Sequence, residues 1–209
     1  MASRGLSIVG GVGMILLGIA AITYWSMYLI YWLFLSGILP WIAMAGVSAF
    51  IFIAAIMAGL GLLSLKLNYG KSMGLIGFIF TFIFGWWILV SDIMTVVGID
   101  FATPIRDING YHVSIDSVIW FLGFFFIGLL LLFWGIALIM TAKPMGKTGL
   151  AIAAGAMLLL AGIFYMVNIA AILVWEIAVY NVLGPIFLLI GGMLAAVVFF
   201  MAKGAPATT

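Results

Sequence analysis

Long stretches of this chain carry no charged side chain, and that feature decides most of what it can fold into. From Ser72 to Ser91 it reads SMGLIGFIFTFIFGWWILVS. At ~1.5 Å of helical rise per residue, such a run is long enough to cross a ~30 Å hydrocarbon layer. Comparable runs recur at roughly residues 5–35, 39–65, 72–97, 114–140, 149–175 and 180–201. With 68% hydrophobic and 6% charged residues, a water-soluble surface is out of reach, so an integral membrane protein is expected. The runs are continuous rather than short and alternating, which predicts helices and not a barrel. The expected fold class is therefore all-α: a polytopic membrane protein whose six transmembrane helices form three hairpins. One transmembrane domain would occupy residues 1–203, with an outer loop at 98–113 and a polar, disordered tail at 204–209.

The breaks between runs carry the usual punctuation. Ser36-Gly37-Ile38-Leu39-Pro40 separates the first two spans, and Gly184-Pro185 opens the sixth. Pro40 and Pro185 are expected near helix starts, where a missing N–H costs little. The opening Met-Ala-Ser-Arg and the long apolar run behind it read as an uncleaved first span.

Charge placement sets the orientation. With both ends cytoplasmic, Arg4, Lys66, Lys71, Lys143, Lys147 and Lys203 fall inside, and of the 7 basic residues Arg106 alone falls outside. That bias satisfies the positive-inside rule, whereas the opposite orientation inverts it. A cell-membrane location with N- and C-termini in the cytoplasm follows. Tyr24, Trp25, Tyr28, Tyr31, Trp32 and Trp41 crowd the outer end of the first hairpin and read as interfacial anchors.

Several chemistries are poorly served. There is no cysteine, which removes disulfides, thiolate nucleophiles and cysteine metal ligands. The single histidine, His112, lies in the outer loop, so neither a histidine cluster nor a Ser-His-Asp set is expected. No phosphate-cradling loop followed by lysine is present. The formal charge of +2 is too small to suggest nucleic-acid binding. The 13 methionines are scattered through the spans and read as gap fillers. The chain is expected to be no enzyme and to hold no cofactor.

Small residues at four-residue spacing permit close helix contact: Ala45/Ala49, Ala54/Ala58, Ala55/Gly59, Ala151/Gly155, Gly191/Ala195 and Gly192/Ala196. Gly10, Gly11 and Gly13 read the same way. A basic residue precedes Gly-Leu at Gly5-Leu6, Gly74-Leu75 and Gly149-Leu150, a weak hint of a repeated two-helix unit of the kind transport folds use. In the outer loop, Asn109-Gly110 is a favoured hairpin turn, so that loop is either a small hairpin lid or a plain solvated loop.

Polar residues within the spans are few. Trp86 and Trp87 stand at mid-depth, where tryptophan is unusual, and Asp92 follows Gly85 by seven residues. An acid in the outer half of a span is a functional candidate by default. The competing reading is that the indoles fill gaps between helices while Asp92 reaches interfacial water. Asn168 follows Gly162 by six residues, so Asp92 and Asn168 both lie ~10 Å outward of centre. They are expected to share one polar site, with Asn168 bonded to Asp92 or to a permeant anion. Asp92 is equally a candidate for carrying a coupling proton. No basic residue lies at mid-depth, so an anion would pass by hydrogen bonds and as a protonated acid.

Three passages resemble the acetate uptake transporter family, six-span carriers or channels for acetate and related monocarboxylates. One is Ala55-Ile56-Met57-Ala58-Gly59-Leu60 with the Lys66/Lys71 turn, Gly74-Leu75 and Phe84-Gly85-Trp86-Trp87. Another is Asn168-Ile169-Ala170, and the third is Gly5-Leu6 with Gly11-Val12-Gly13-Met14. Ala2-Ser3-Arg4-Gly5-Leu6 stands where the family carries an Asn-Pro-Ala-Pro-Leu-Gly-Leu run, and keeps the terminal Gly-Leu. The resemblance implies a homohexamer whose protomers each hold a pore narrowed by aromatic and aliphatic side chains. Trp86, Trp87 and Tyr165 are candidates for such a narrowing, from depth alone.

Two functions stay open on these residues. One is a transporter or channel for small monocarboxylates or similar small solutes, with Trp86, Trp87, Asp92, Tyr165 and Asn168 along the pathway. Its partners would be the lipid bilayer, a small carboxylic acid, protons and further copies of the chain. The other is a non-catalytic structural subunit of a multi-protein membrane complex, such as a respiratory or other energy-converting assembly.

Overall fold

The computed structural model describes residues 2–34, 39–97, 106–108, 111–113, 115–175 and 180–202. Side chains are described within narrower stretches, 4–27, 42–87, 89–90, 92–94, 96–97, 122–167 and 182–202. Seven helices follow one another: α1 (Ala2–Phe34), α2 (Leu39–Tyr69), α3 (Ser72–Phe84), α4 (Trp87–Val96), α5 (Ile115–Thr141), α6 (Thr148–Trp175) and α7 (Tyr180–Met201). Five of them (α1, α2, α5, α6 and α7) are long and apolar enough to cross a membrane. The protein is thus an all-helical, membrane-embedded bundle, apart from one small hairpin, β1 (Arg106–Ile108) and β2 (Tyr111–Val113). Its strands pair antiparallel with Asp107 opposite His112. The Asn109-Gly110 turn and the tail at 203–209 lie outside the described residues.

The expected third span is divided. α3 has 13 residues and α4 has 10, separated at Gly85-Trp86. Gly85 stays right-handed at φ −68° and ψ −18°, and its N–H still bonds the Thr81 carbonyl at 2.9 Å. Thr81, fully buried, turns its own hydroxyl back to the Gly77 carbonyl at 2.9 Å. Such back-bonding loosens a helix just before a glycine that adds nothing to hold it.

The remaining borders follow local chemistry. α2 runs past Lys66 to Tyr69 and stops at Gly70, whose φ of +69° suits glycine. The Gly70 N–H bonds the Lys66 carbonyl at 2.9 Å, and Lys66 Nζ donates to the Gly70 carbonyl at 3.3 Å. Gly146, at φ +67°, plays the same part in the α5–α6 turn. Pro185 lies inside α7, which begins at Tyr180, and not at its start. The proline therefore costs one intrahelical bond, to the Asn181 carbonyl.

The helices close a ring in chain order: α1 packs on α2, α2 on α3 and α4, these two on α5, α5 on α6, α6 on α7, and α7 back on α1. Glycine seams permit the closeness. A Cβ on Gly128 would stand 2.7 Å from the Gly162 carbonyl, and one on Gly135 2.6 Å from the Gly155 carbonyl, so α5 and α6 touch backbone to backbone. Gly10 meets Gly61 and Gly13 meets Ala58 between α1 and α2. Gly192 faces the Met14 carbonyl between α7 and α1. Ala54, Ala58, Ala151, Ala195 and Ala196 are buried as their spacing predicted, whereas Ala45 and Ala49 are half-buried. Gly5 and Gly149 face open space while Gly74 abuts the Leu62 carbonyl, so the three Gly-Leu pairs do not occupy equivalent packing positions.

Residue pairs also fix directions. Gly11 meets Phe200 and Gly18 meets Leu189, so α1 and α7 are antiparallel and the start of α1 lies beside the end of α7. α5 runs against α3, with Trp134 Nε1 donating to the Gly77 carbonyl at 3.2 Å and Phe84 stacking on Phe126 at 4.8 Å. Low on the α1–α2 seam, the buried Ser7 hydroxyl donates to Ser64 at 2.8 Å, and Ser64 passes a bond to the Gly61 carbonyl at 2.6 Å.

Candidate functional site

Two features meet in the middle of the ring. One is a buried polar cluster centred on Asp92, the other a small cavity beside it, and Tyr24 belongs to both.

Asp92 sits on the short helix α4 and is 1% exposed. Its Oδ1 accepts a hydrogen bond from the Tyr24 hydroxyl of α1 at 3.1 Å, and its Oδ2 accepts one from the Ser48 hydroxyl of α2. Tyr24 and Ser48 are themselves 3% and 1% exposed. A carboxyl group withdrawn from water needs hydrogen bonds on both oxygens, and two helices supply them here. Asp92 does not reach up to interfacial water. It binds α4, the second half of the divided helix, to the α1–α2 hairpin.

The cavity offers about 30 Å³ to the centre of a water molecule. That exceeds the roughly 10–15 Å³ a single water needs. Its wall draws on every part of the ring: Leu17, Ala21, Tyr24 and Trp25 of α1, Ile51 and Ala55 of α2, Gly85 at the break, Phe124, Ile127, Leu130 and Leu131 of α5, Tyr165 of α6 and Leu188 of α7. The lining is mostly hydrocarbon. An aromatic arc spans it, with Trp25 tilted against Phe124 at 6.3 Å and Phe124 stacked on Tyr165 at 5.9 Å. Tyr165 is 4% exposed, and its hydroxyl has no hydrogen-bond partner among the described residues.

The expected site residues divide accordingly. Tyr165 lines the cavity and Asp92 stands one side chain behind its wall. Trp86 and Trp87 do not line this cavity. They stack on each other at 5.0 Å, Trp87 tilts against Phe126 at 5.3 Å, and Trp86 is 36% exposed on the outside of the bundle. It is Gly85, just before them, that reaches the cavity. The Asn168 backbone belongs to α6, and its side chain lies outside the described residues, as does its expected contact with Asp92.

Tyr24, Trp25 and Ser48 were not among the expected site residues. Tyr24 and Trp25 read as interfacial anchors but are buried, at 3% and 4% exposure, because both turn inward on α1. The side chains of Tyr28, Tyr31, Trp32 and Trp41 lie outside the described residues. Spacing held a usable signal. Leu17, Ala21 and Tyr24 follow one another at i, i+4 and i+7, and Ser48, Ile51 and Ala55 at i, i+3 and i+7, each along one helix face.

Among the described residues, no group of three or more His, Cys, Asp or Glu side chains gathers to hold a metal. No family model matches the chain, and neither a curated protein nor a solved structure matches it.

Proposed function

We propose that this protein is a membrane transporter or channel for small monocarboxylates, acetate-like in size, or for similarly small solutes. One observation carries the reading: a small cavity lined by the five long helices and by Gly85, lying where the third span is broken and a carboxyl group is buried. Solute sites of transport proteins commonly lie near mid-membrane beside interrupted helices. A purely structural bundle has no need of a break there.

The reading includes six crossings. α1 and α7 are antiparallel neighbours, an arrangement that fits an even number of passages. Five helices are long enough to cross singly, and α3 with α4 supplies the sixth. With both ends cytoplasmic in the cell membrane, every basic residue except Arg106 falls inside, as the positive-inside rule asks. The copies associate as a homo-oligomer, a hexamer if the resemblance to the acetate uptake transporters reflects kinship. No catalytic step is assigned.

A second reading, a non-catalytic subunit of a larger membrane complex, is favoured by one feature. Trp86, flat against Trp87, is 36% exposed on the outer face at a depth where tryptophan seldom meets lipid. Uptake of labelled acetate into proteoliposomes tests the first reading. Protein-dependent uptake supports it, whereas no uptake together with obligatory co-purification of other polypeptides supports the second.

A further inference from the structure

We infer that the central cavity is a binding site for an uncharged small polar solute, an undissociated acid, an amide or an alcohol of a few heavy atoms, oriented by the hydroxyl of Tyr165. The inference rests on the transport reading and narrows the form in which cargo is held.

Size comes first. A cavity of about 30 Å³ accepts two waters or a solute not much larger, with little room for a hydration shell. An ion entering it would be stripped of most of its water, which is costly unless a counter-charge replaces that water.

No counter-charge is at hand among the described side chains. Arg4, Lys66, Lys71, Lys143 and Lys147 stand at helix ends or in turns, Arg106 in the hairpin and Lys203 beyond α7. For a cation, Asp92 is the acid near among the described residues, but it is 1% exposed and both its oxygens already accept hydroxyl bonds. The described groups that α2 and α5 add to the lining are apolar.

An uncharged solute meets a different balance. Tyr165 lines the cavity at 4% exposure, and a hydroxyl set among hydrocarbon walls gains from a hydrogen-bond partner. A hydroxyl both donates and accepts, so it suits a carbonyl oxygen or an O–H or N–H on the guest. Leu17, Ala55 and Leu188 would pack against the guest's methyl end. The ring of Tyr165 is held by its stack on Phe124 and by the close approach of Gly184, so the hydroxyl is aimed before the solute arrives.

The test uses proteoliposomes of the full chain, with acetate and its neutral isostere acetamide as probes, each against empty liposomes. The expected result is protein-dependent acetamide flux, with acetate flux that follows the undissociated fraction, falls about tenfold per pH unit above the acid's own pKa, and carries no current. Tyr165→Phe, which keeps the aromatic stack, should lower acetamide flux severalfold in protein that stays monodisperse. Acetate flux that is independent of pH or carries current, with acetamide excluded, would overturn the inference and leave transport standing. Absence of protein-dependent flux for both probes would overturn the transport reading itself.

Discussion

Tyr24 on α1 and Asp92 on α4 meet through a 3.1 Å hydrogen bond inside the bundle, across 68 residues of chain. Since Tyr24 also lines the cavity, the bond ties the position of the cavity wall to α4, the second half of the divided helix. Each of the following expectations depends on that arrangement or on the seams around it.

Asp92→Ala strands the Tyr24 and Ser48 hydroxyls without their acceptor. Stability should fall by about 1–3 kcal/mol, and by less for Asp92→Asn, which keeps an acceptor. A double-mutant cycle with Tyr24→Phe should give a coupling of about 0.5–1.5 kcal/mol, in the range found for hydrogen bonds between membrane helices. Reversible unfolding in mixed micelles measures both.

Gly135→Val places side-chain atoms against the Gly155 carbonyl, where a Cβ alone would stand at 2.6 Å. A loss of about 2–3 kcal/mol is expected, since backbone rather than a side chain would have to move. Gly149→Ala, at a position with nothing within 4 Å, should be neutral or slightly stabilising. Thermal aggregation of the two variants, compared with the parent protein, separates a packing seam from a general intolerance of glycine replacement.

Ala55→Leu fills the cavity from α2. Flux should drop by about tenfold or more while the fold is retained, because a constriction this small has no alternative path around an added isobutyl group. Circular dichroism and size-exclusion behaviour establish folding, and proteoliposome uptake gives the flux.

The lack of cysteine makes the topology directly readable. Single cysteines replacing Lys71 and Lys147 should react with impermeant maleimide only from the cytoplasmic side, and one replacing Asp107 only from outside. Labelling of position 107 from the same side as position 71 would rule out six crossings.

The outer shape of the molecule was largely legible because lipid imposes one rule on every span, and an uncharged run states its own length. The last helix, α7, begins at Tyr180 and ends at Met201, as its apolar run does. Asp92 stood out for a related reason, since an acid in such surroundings has to be satisfied by something. What satisfies it was not legible. Tyr24 sits near the end of an apolar run, where an interfacial anchor and an inward-facing hydroxyl have the same local sequence, and only helix phase against a neighbour separates them. The break at Gly85 was hidden likewise. Glycine is common in these helices as a packing residue, and Gly128 and Gly135 show the same letter within an unbroken helix. Trp86 and Trp87 were placed by depth, which says nothing of the side of the helix on which a ring lies.

The backbone contact between α5 and α6 limits how this molecule can breathe. With carbonyls against glycines at both Gly128–Gly162 and Gly135–Gly155, and Leu132, Ile139, Leu159 and Met166 packed onto those glycines, that pair is closely locked and behaves as a single stiff plank. Any widening of the interior is then most easily taken up at the broken helix, where the ten-residue α4 follows a glycine and packs on α2 and α5 with one buried carboxyl group bonded to α1 and α2. The door and its frame are built from different materials, and on the proposed transport reading a solute would cross by moving the door.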